Sequence, residues 1–227
     1  MGMGHLPLTF LLTIAISGLF ALAFELGTTA PIGSFCLLVL LIAFSAVGPK
    51  SETDSRTTGT RFTVARVGLT CLLGGLAIIP AGVAPDPLLW SLAIAGIAAA
   101  GLEAADGWLA RITESASGFS ERLGEMTAAL LVLALALLVW RLGIADLWVL
   151  AAGVLGFGER AIHARNPSVK RPDWRVWSEL ALRTALAVAL IPTLPGPIAP
   201  ALAGLAVLIT VGQTAFTVMG PRPGASA

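Results

Sequence analysis

Long apolar runs separated by short polar stretches set the pattern of this chain. A helix that crosses a bilayer needs about 20 predominantly apolar residues, and eight runs approach that length, at about 6–26, 31–48, 62–84, 88–106, 120–142, 145–162, 176–195 and 197–219. Most are apolar all round instead of amphipathic, as expected for helices facing lipid or buried on every side. Gly and Ala recur within them, as in Ala95-Gly-Ile-Ala-Ala-Ala-Gly101, and small residues let helix backbones approach closely in lipid. Pro80, Pro192 and Pro195 are expected to kink or end their helices. The pattern therefore predicts an all-α, polytopic membrane helix bundle with about eight transmembrane helices. A polar linker at 49–61 divides it into an N-terminal helix hairpin (1–56), a six-helix part (57–220) and a short tail (221–227). No repeat or low-complexity tract interrupts this plan.

Composition strengthens that reading. The chain of 227 residues is 56% hydrophobic and only 12% charged, where soluble domains carry about 25% charged residues. The net charge of +1 provides no basic field for nucleic acid. Cys36 and Cys71 sit in apolar runs and read as small core hydrophobes, with no disulfide or zinc framework. The first run is long enough to span and lacks a basic n-region, so it reads as a retained helix.

The basic residues orient the bundle. Lys50, Arg56, Arg61 and Arg66 flank the second and third runs. Arg111 and Arg122 lie between the fourth and fifth, and Arg160, Arg165, Lys170, Arg171 and Arg175 between the sixth and seventh. With eight spans these fall on one side, and only Arg141 is clearly on the other. By the positive-inside rule that side, with both termini, is cytoplasmic, as for a multi-pass protein of a bacterial inner membrane.

Chemistry concentrates where the fourth run meets polar sequence, at Glu103-Ala-Ala-Asp106-Gly107-Trp-Leu-Ala110-Arg111. Glu103 and Asp106 fall on one helical face and could present oxygens to a hard cation. Gly107 permits close approach, and Arg111 offers a planar donor fork to a phosphate. The plain alternative is a helix end entering the cytoplasm with ordinary polar residues. Arg160, His163, Arg165, Lys170, Arg171 and Arg175 form a second basic cluster, either a phosphate site or a topology signal against anionic lipid. Arg175 is the member best placed for a specific role because it begins a span. His163 and Glu159, beside several cations, make a poor metal site. Trp174 and Trp177 read as interfacial anchors.

The acidic stretch resembles the signature of the CDP-alcohol phosphatidyltransferases, D-x-x-D-G-x-x-A-R followed eight residues later by G-x-x-x-D-x-x-x-D. Asp106, Gly107, Ala110 and Arg111 match, and Glu103 replaces the first Asp. Phe119-Ser120-Glu121-Arg122-Leu123 is similar to the family's F-G-x-x-L, and Phe62-Thr63-Val-Ala-Arg66 to its L-T-x-x-R. The similarity covers about residues 60–219. The third and fourth family acids fall on Gly124 and Ala128, so both carboxylates are missing.

The resemblance implies a membrane transferase that moves a phosphatidyl or phospho-alcohol group from a CDP-linked donor to an alcohol and releases CMP. It implies Mg2+ or Mn2+ on Glu103 and Asp106. Gly107, Ala110 and Arg111, with Thr63, Arg66 and Arg175, would form the nucleotide and phosphate site. Glu121 or Glu125, each three residues before a missing acid, would stand in as ligand and base; the alternative is two solvated acids paired with Arg122 or Arg111. The implied partners are the CDP-linked donor, the alcohol acceptor and membrane lipids, and a homodimer is compatible with the sequence. A non-catalytic relative that binds a nucleotide, a lipid headgroup or a protein is the rival reading. A transporter has less support, since no inverted repeat or pair of broken helices is present.

Overall fold

Each apolar run of the sequence gives one helix. The computed structural model describes residues 6–26, 28–46, 59–78, 84–113, 118–165 and 174–219. Among them are α1 (Leu6–Ala23), α2 (Thr29–Ala46), α3 (Gly59–Leu76), α4 (Asp86–Thr113), α5 (Gly118–Arg141), α6 (Leu150–Arg165), α7 (Trp174–Val188) and α8 (Ile198–Met219), with a short 3-10 turn at Leu147–Val149. The described residues contain no strand.

The last six helices close a ring: α3 packs on α4, α4 on α7, α7 on α8, α8 on α6, α6 on α5, and α5 back on α3. Helix α5 also touches α4 and α7, so it lies nearest the middle. Its apolar stretch is 61% buried, against 33% for α4 and 22% for α8. The N-terminal pair is not detached from this ring. Helix α2 packs along α3 and reaches α5, and α1 packs on α2 and α3. The expected domain boundary at residue 56 and the tail at 221–227 lie outside the described residues.

Small residues set the closest contacts. A Cβ added at Gly75 would meet Ser34 Oγ and come 2.6 Å from the Ala30 carbonyl oxygen, and one added at Gly33 would come 3.3 Å from Gly75 Cα. A Cβ added at Gly96 would come 2.8 Å from Ala187 Cβ across the α4–α7 contact, and one added at Gly153 would come 2.9 Å from Leu133 Cα across α5–α6. Buried hydroxyls bond back to their own helices, Ser34 to the Ala30 carbonyl at 2.9 Å and Thr127 to Leu123 at 2.6 Å, so they enter the core without an unmet donor.

The helix ends correct several expected boundaries. Helix α4 does not stop at Asp106 but runs on through Gly107 to Thr113. Helix α7 ends at Val188 instead of continuing to residue 195. There the amides of Leu190 and Ile191 bond the carbonyls of Ala187 and Val188, three residues back, and Pro192 has no N–H with which to continue the helix. Helix α5 ends in a Schellman motif: Gly143 has φ of +71°, the Ile144 amide bonds the Val139 carbonyl at 3.1 Å, and the Gly143 amide bonds Trp140 at 2.9 Å. Cys71 is buried as expected, but Cys36 lies exposed on α2.

Among the described residues, three helical stretches are long and apolar enough to cross a membrane: Asp86–Asp106, Leu123–Arg141 and Ile198–Met219. Thr13–Ala23, Thr29–Leu41 and Ala65–Leu76 are shorter apolar helices. Leu22, Ile94, Val154 and Leu208 are among many large apolar side chains exposed on the outer faces of the bundle, an extent that marks an apolar environment or partner.

Candidate functional site

Helix α7 organises the charged end of the bundle. Arg175, Glu179 and Arg183 are spaced four residues apart and so share one face. Arg175 Nε donates to Glu179 Oε1 at 3.0 Å, and Arg183 Nη2 donates to Glu179 Oε2 at 2.8 Å. Neighbouring helices complete the network. Arg160 of α6 brings Nη2 to 3.6 Å from Glu179 Oε2. Arg175 also pairs with Glu159 of α6, and Thr217 of α8 donates to Glu159 Oε1 at 2.7 Å. Gln213 of α8 donates to Ser178 Oγ at 2.7 Å.

The α4 acids extend the network to α7 and α3. Glu103 Oε1 accepts from Arg183 Nη1 at 2.8 Å, and Asp106 Oδ2 lies 3.8 Å from Arg66 Nη1 of α3. Arg66 lies in the field of Glu103, Asp106 and Arg183 together, and Glu125 of α5 adds to the negative field at Arg160. Five helices thus bring charge to one end, and α8 adds two polar side chains. Glu159 is 2% exposed, Arg66 and Arg183 3%, and Arg175 7%, a burial that charged groups reach only when paired.

Pairing is incomplete at a few atoms. Arg66 Nε and Nη2, Arg183 Nε, Glu103 Oε2 and Thr70 Oγ1 are buried and find no hydrogen-bond partner among the described residues. Leaving such an atom buried and unpaired costs about 1–3 kcal/mol. Arg66 is the most exceptional, because Nε and Nη2 form one edge of its guanidinium, the edge that binds a carboxylate or phosphate with two bonds. That guanidinium lies against α5 where Gly124 has no side chain; a Cβ there would stand 3.0 Å from Nη2.

Several expected site residues thus converge. Arg66, Glu103, Asp106 and Arg175 belong to one charged network, and Glu125 borders it. The two α4 acids are engaged by different helices, Glu103 by α7 and Asp106 by α3. Arg175 is held by Glu159 and Glu179. The side chains of Thr63, Gly107, Ala110, Arg111 and Glu121 lie outside the described residues, with only their backbone placed on α3, α4 and α5. Sequence reasoning missed Glu179 and gave Arg183 no role. The signal was present in Arg175-x-x-x-Glu179-x-x-x-Arg183: ionisable residues repeated at one-turn spacing along an otherwise apolar run need partners inside the fold.

The donor set is a poor fit for the divalent ion that the resemblance implies. Such a site gathers several oxygens around a hard dication. Here the two α4 carboxylates already face guanidiniums, Gly124 and Ala128 contribute none, and of the expected stand-ins Glu125 lies in the field of Arg160 while the Glu121 side chain lies outside the described residues. Among the described residues no group of three or more His, Cys, Asp or Glu is arranged to hold a metal. Comparison with protein-family models, curated proteins and solved structures returns no match for this chain.

Proposed function

We propose that this chain is a polytopic membrane protein with eight spans, its charged end and both termini cytoplasmic, and that this end handles a CDP-linked substrate in the manner of the CDP-alcohol phosphatidyltransferases. The observation that supports this reading best is convergence. Three stretches, separated along the sequence, meet at one end of the ring: Arg66 and the pair Glu103 and Asp106, which carry the resemblance, and Gly124 of α5, which directly follows its Phe119–Leu123 stretch.

In this reading the Nε–Nη2 edge of Arg66 receives a phosphate of the donor. The acceptor hydroxyl attacks the phosphorus that bears the lipid or alcohol group, the bond to the CMP oxygen breaks, and CMP leaves. Glu125 or Glu121 takes the hydroxyl proton. A second reading, a relative that binds the CDP-linked compound without transfer, is favoured by Gly124 and Ala128, which stand where the family carries carboxylates.

One assay separates the two. Full-length protein in lipid nanodiscs is given CDP-diacylglycerol and a panel of alcohols, and CMP is measured. Transfer predicts CMP release that falls roughly 100-fold or more in Glu125→Gln or Glu121→Gln, the range for a lost general base. Binding of the donor with no CMP from the parent selects the second reading. Neither binding nor release removes both.

The topology carries its own expectation. Single cysteines placed in 49–61, 107–119 and 163–175 should all escape a membrane-impermeant thiol reagent applied to intact cells, because the basic residues keep those segments inside. Labelling at any one of the three overturns the eight-span arrangement.

A further inference from the structure

We infer that the guanidiniums of Arg66 and Arg183 are the resident counter-charges of the α4 acids, standing where a divalent metal would otherwise sit, so that an anionic ligand at this end meets a protein cation and no metal. The inference rests on the reading above for what the site is for, and on the donor set alone for how it is charged.

Three observations carry it. First, each α4 acid already faces a guanidinium: Glu103 accepts from Arg183 at 2.8 Å, and Asp106 lies 3.8 Å from Arg66. A dication added between them would stand against two fixed positive charges, and repulsion at such distances is weakly screened in a buried site. Second, Gly124 does more than lack a carboxylate. The Arg66 Nη2 lies 3.0 Å from the point where a Cβ would be, so glycine at this position gives the guanidinium its room on α5. Third, Arg66 is 3% exposed and its Nε–Nη2 edge has no hydrogen-bond partner among the described residues. A cation that buried keeps its charge only by facing acids, and Glu103 and Asp106 are the acids it faces.

The test is a Mn2+ titration of the full-length protein in nanodiscs, followed by the paramagnetic resonance signal of free Mn2+. The parent should show no saturable binding at millimolar Mn2+. Arg66→Met, which keeps the apolar stem and removes the charge, should gain one-to-one binding, and Arg66→Met with Asp106→Asn should lose it again. A parent that binds Mn2+ in an Asp106-dependent way overturns the inference, as does a folded Arg66→Met protein that remains blind to Mn2+.

Should Arg66→Met fail to fold, Gly124→Asp in the parent decides. With Arg66 in place the new carboxylate pairs with the guanidinium and Mn2+ binding stays absent; if Mn2+ now binds, the inference is wrong. CMP release is scored separately. A protein that binds no Mn2+ and releases no CMP supports this inference while failing the transfer reading, and release that requires bound Mn2+ does the reverse.

Discussion

Replacing Glu179 with Gln should destabilise the protein by roughly 3–5 kcal/mol, the range for removing one partner of a buried ion pair. Glu179 is the one carboxylate among the described residues that holds three arginines: Arg175 at 3.0 Å, Arg183 at 2.8 Å and Arg160 at 3.6 Å. An amide of the same size keeps the packing but withdraws the negative charge. The three guanidiniums are then left facing one another near α7, and Arg183 must be balanced by Glu103 alone. Thermal unfolding in detergent measures the loss. Asp146→Asn is the matched control, since Asp146 is exposed and its side chain caps nothing; a surface change of that kind stays within about 0.5 kcal/mol. Equal melting of the two variants would show that the α7 network contributes little to holding the ring closed.

Gly75→Ala should also be severe, and for a different reason. The added methyl would stand 2.6 Å from both the Ala30 carbonyl oxygen and the Ser34 amide nitrogen. These are backbone atoms, so no rotamer change relieves the contact and α2 must move off α3. Overpacking a filled core costs about 1–3 kcal/mol, and a rigid helix–helix contact belongs at or above the top of that range. Gly101→Ala provides the contrast. That site is exposed on α4 with nothing within 4 Å of the new Cβ, so Ala should stabilise by up to about 1 kcal/mol through helix propensity. The two Gly→Ala changes should therefore move the melting temperature in opposite directions. If Gly75→Ala leaves it unchanged, the close α2–α3 approach is absent from the protein in solution.

The number and order of the helices were legible because apolar length is a local property of sequence. Their ends were less so. Helix α4 overran its apolar stretch into Gly107–Thr113, because hydropathy says where lipid contact ends and not where helical hydrogen bonding ends. Helix α7 stopped seven residues short because the chain turns before Pro192. In the site, Glu103, Asp106 and Arg66 stood out by spacing and resemblance, whereas Arg183, the counter-charge of Glu103, did not. That Glu103 meets Arg183 depends on α4 lying beside α7, an adjacency created by ring closure and absent from any local window. Cys36 failed for a related reason: an apolar run does not say which of its faces turns inward.

The position of α7 along the chain has a consequence for synthesis. The carboxylates of Glu103 and Glu159 are made before the arginines of α7 that pair with them. Until α7 is made, Glu103 of α4 and Glu159 of α6 therefore lack those partners. Arrival of α7 supplies Arg175 and Arg183 together and brings Glu179 for Arg160, so one late helix neutralises several earlier ones. A nascent chain cut short before residue 174 lacks that step, leaving exposed acids that distinguish it from the finished protein. Completion of synthesis is thereby written into the charge pattern of the bundle.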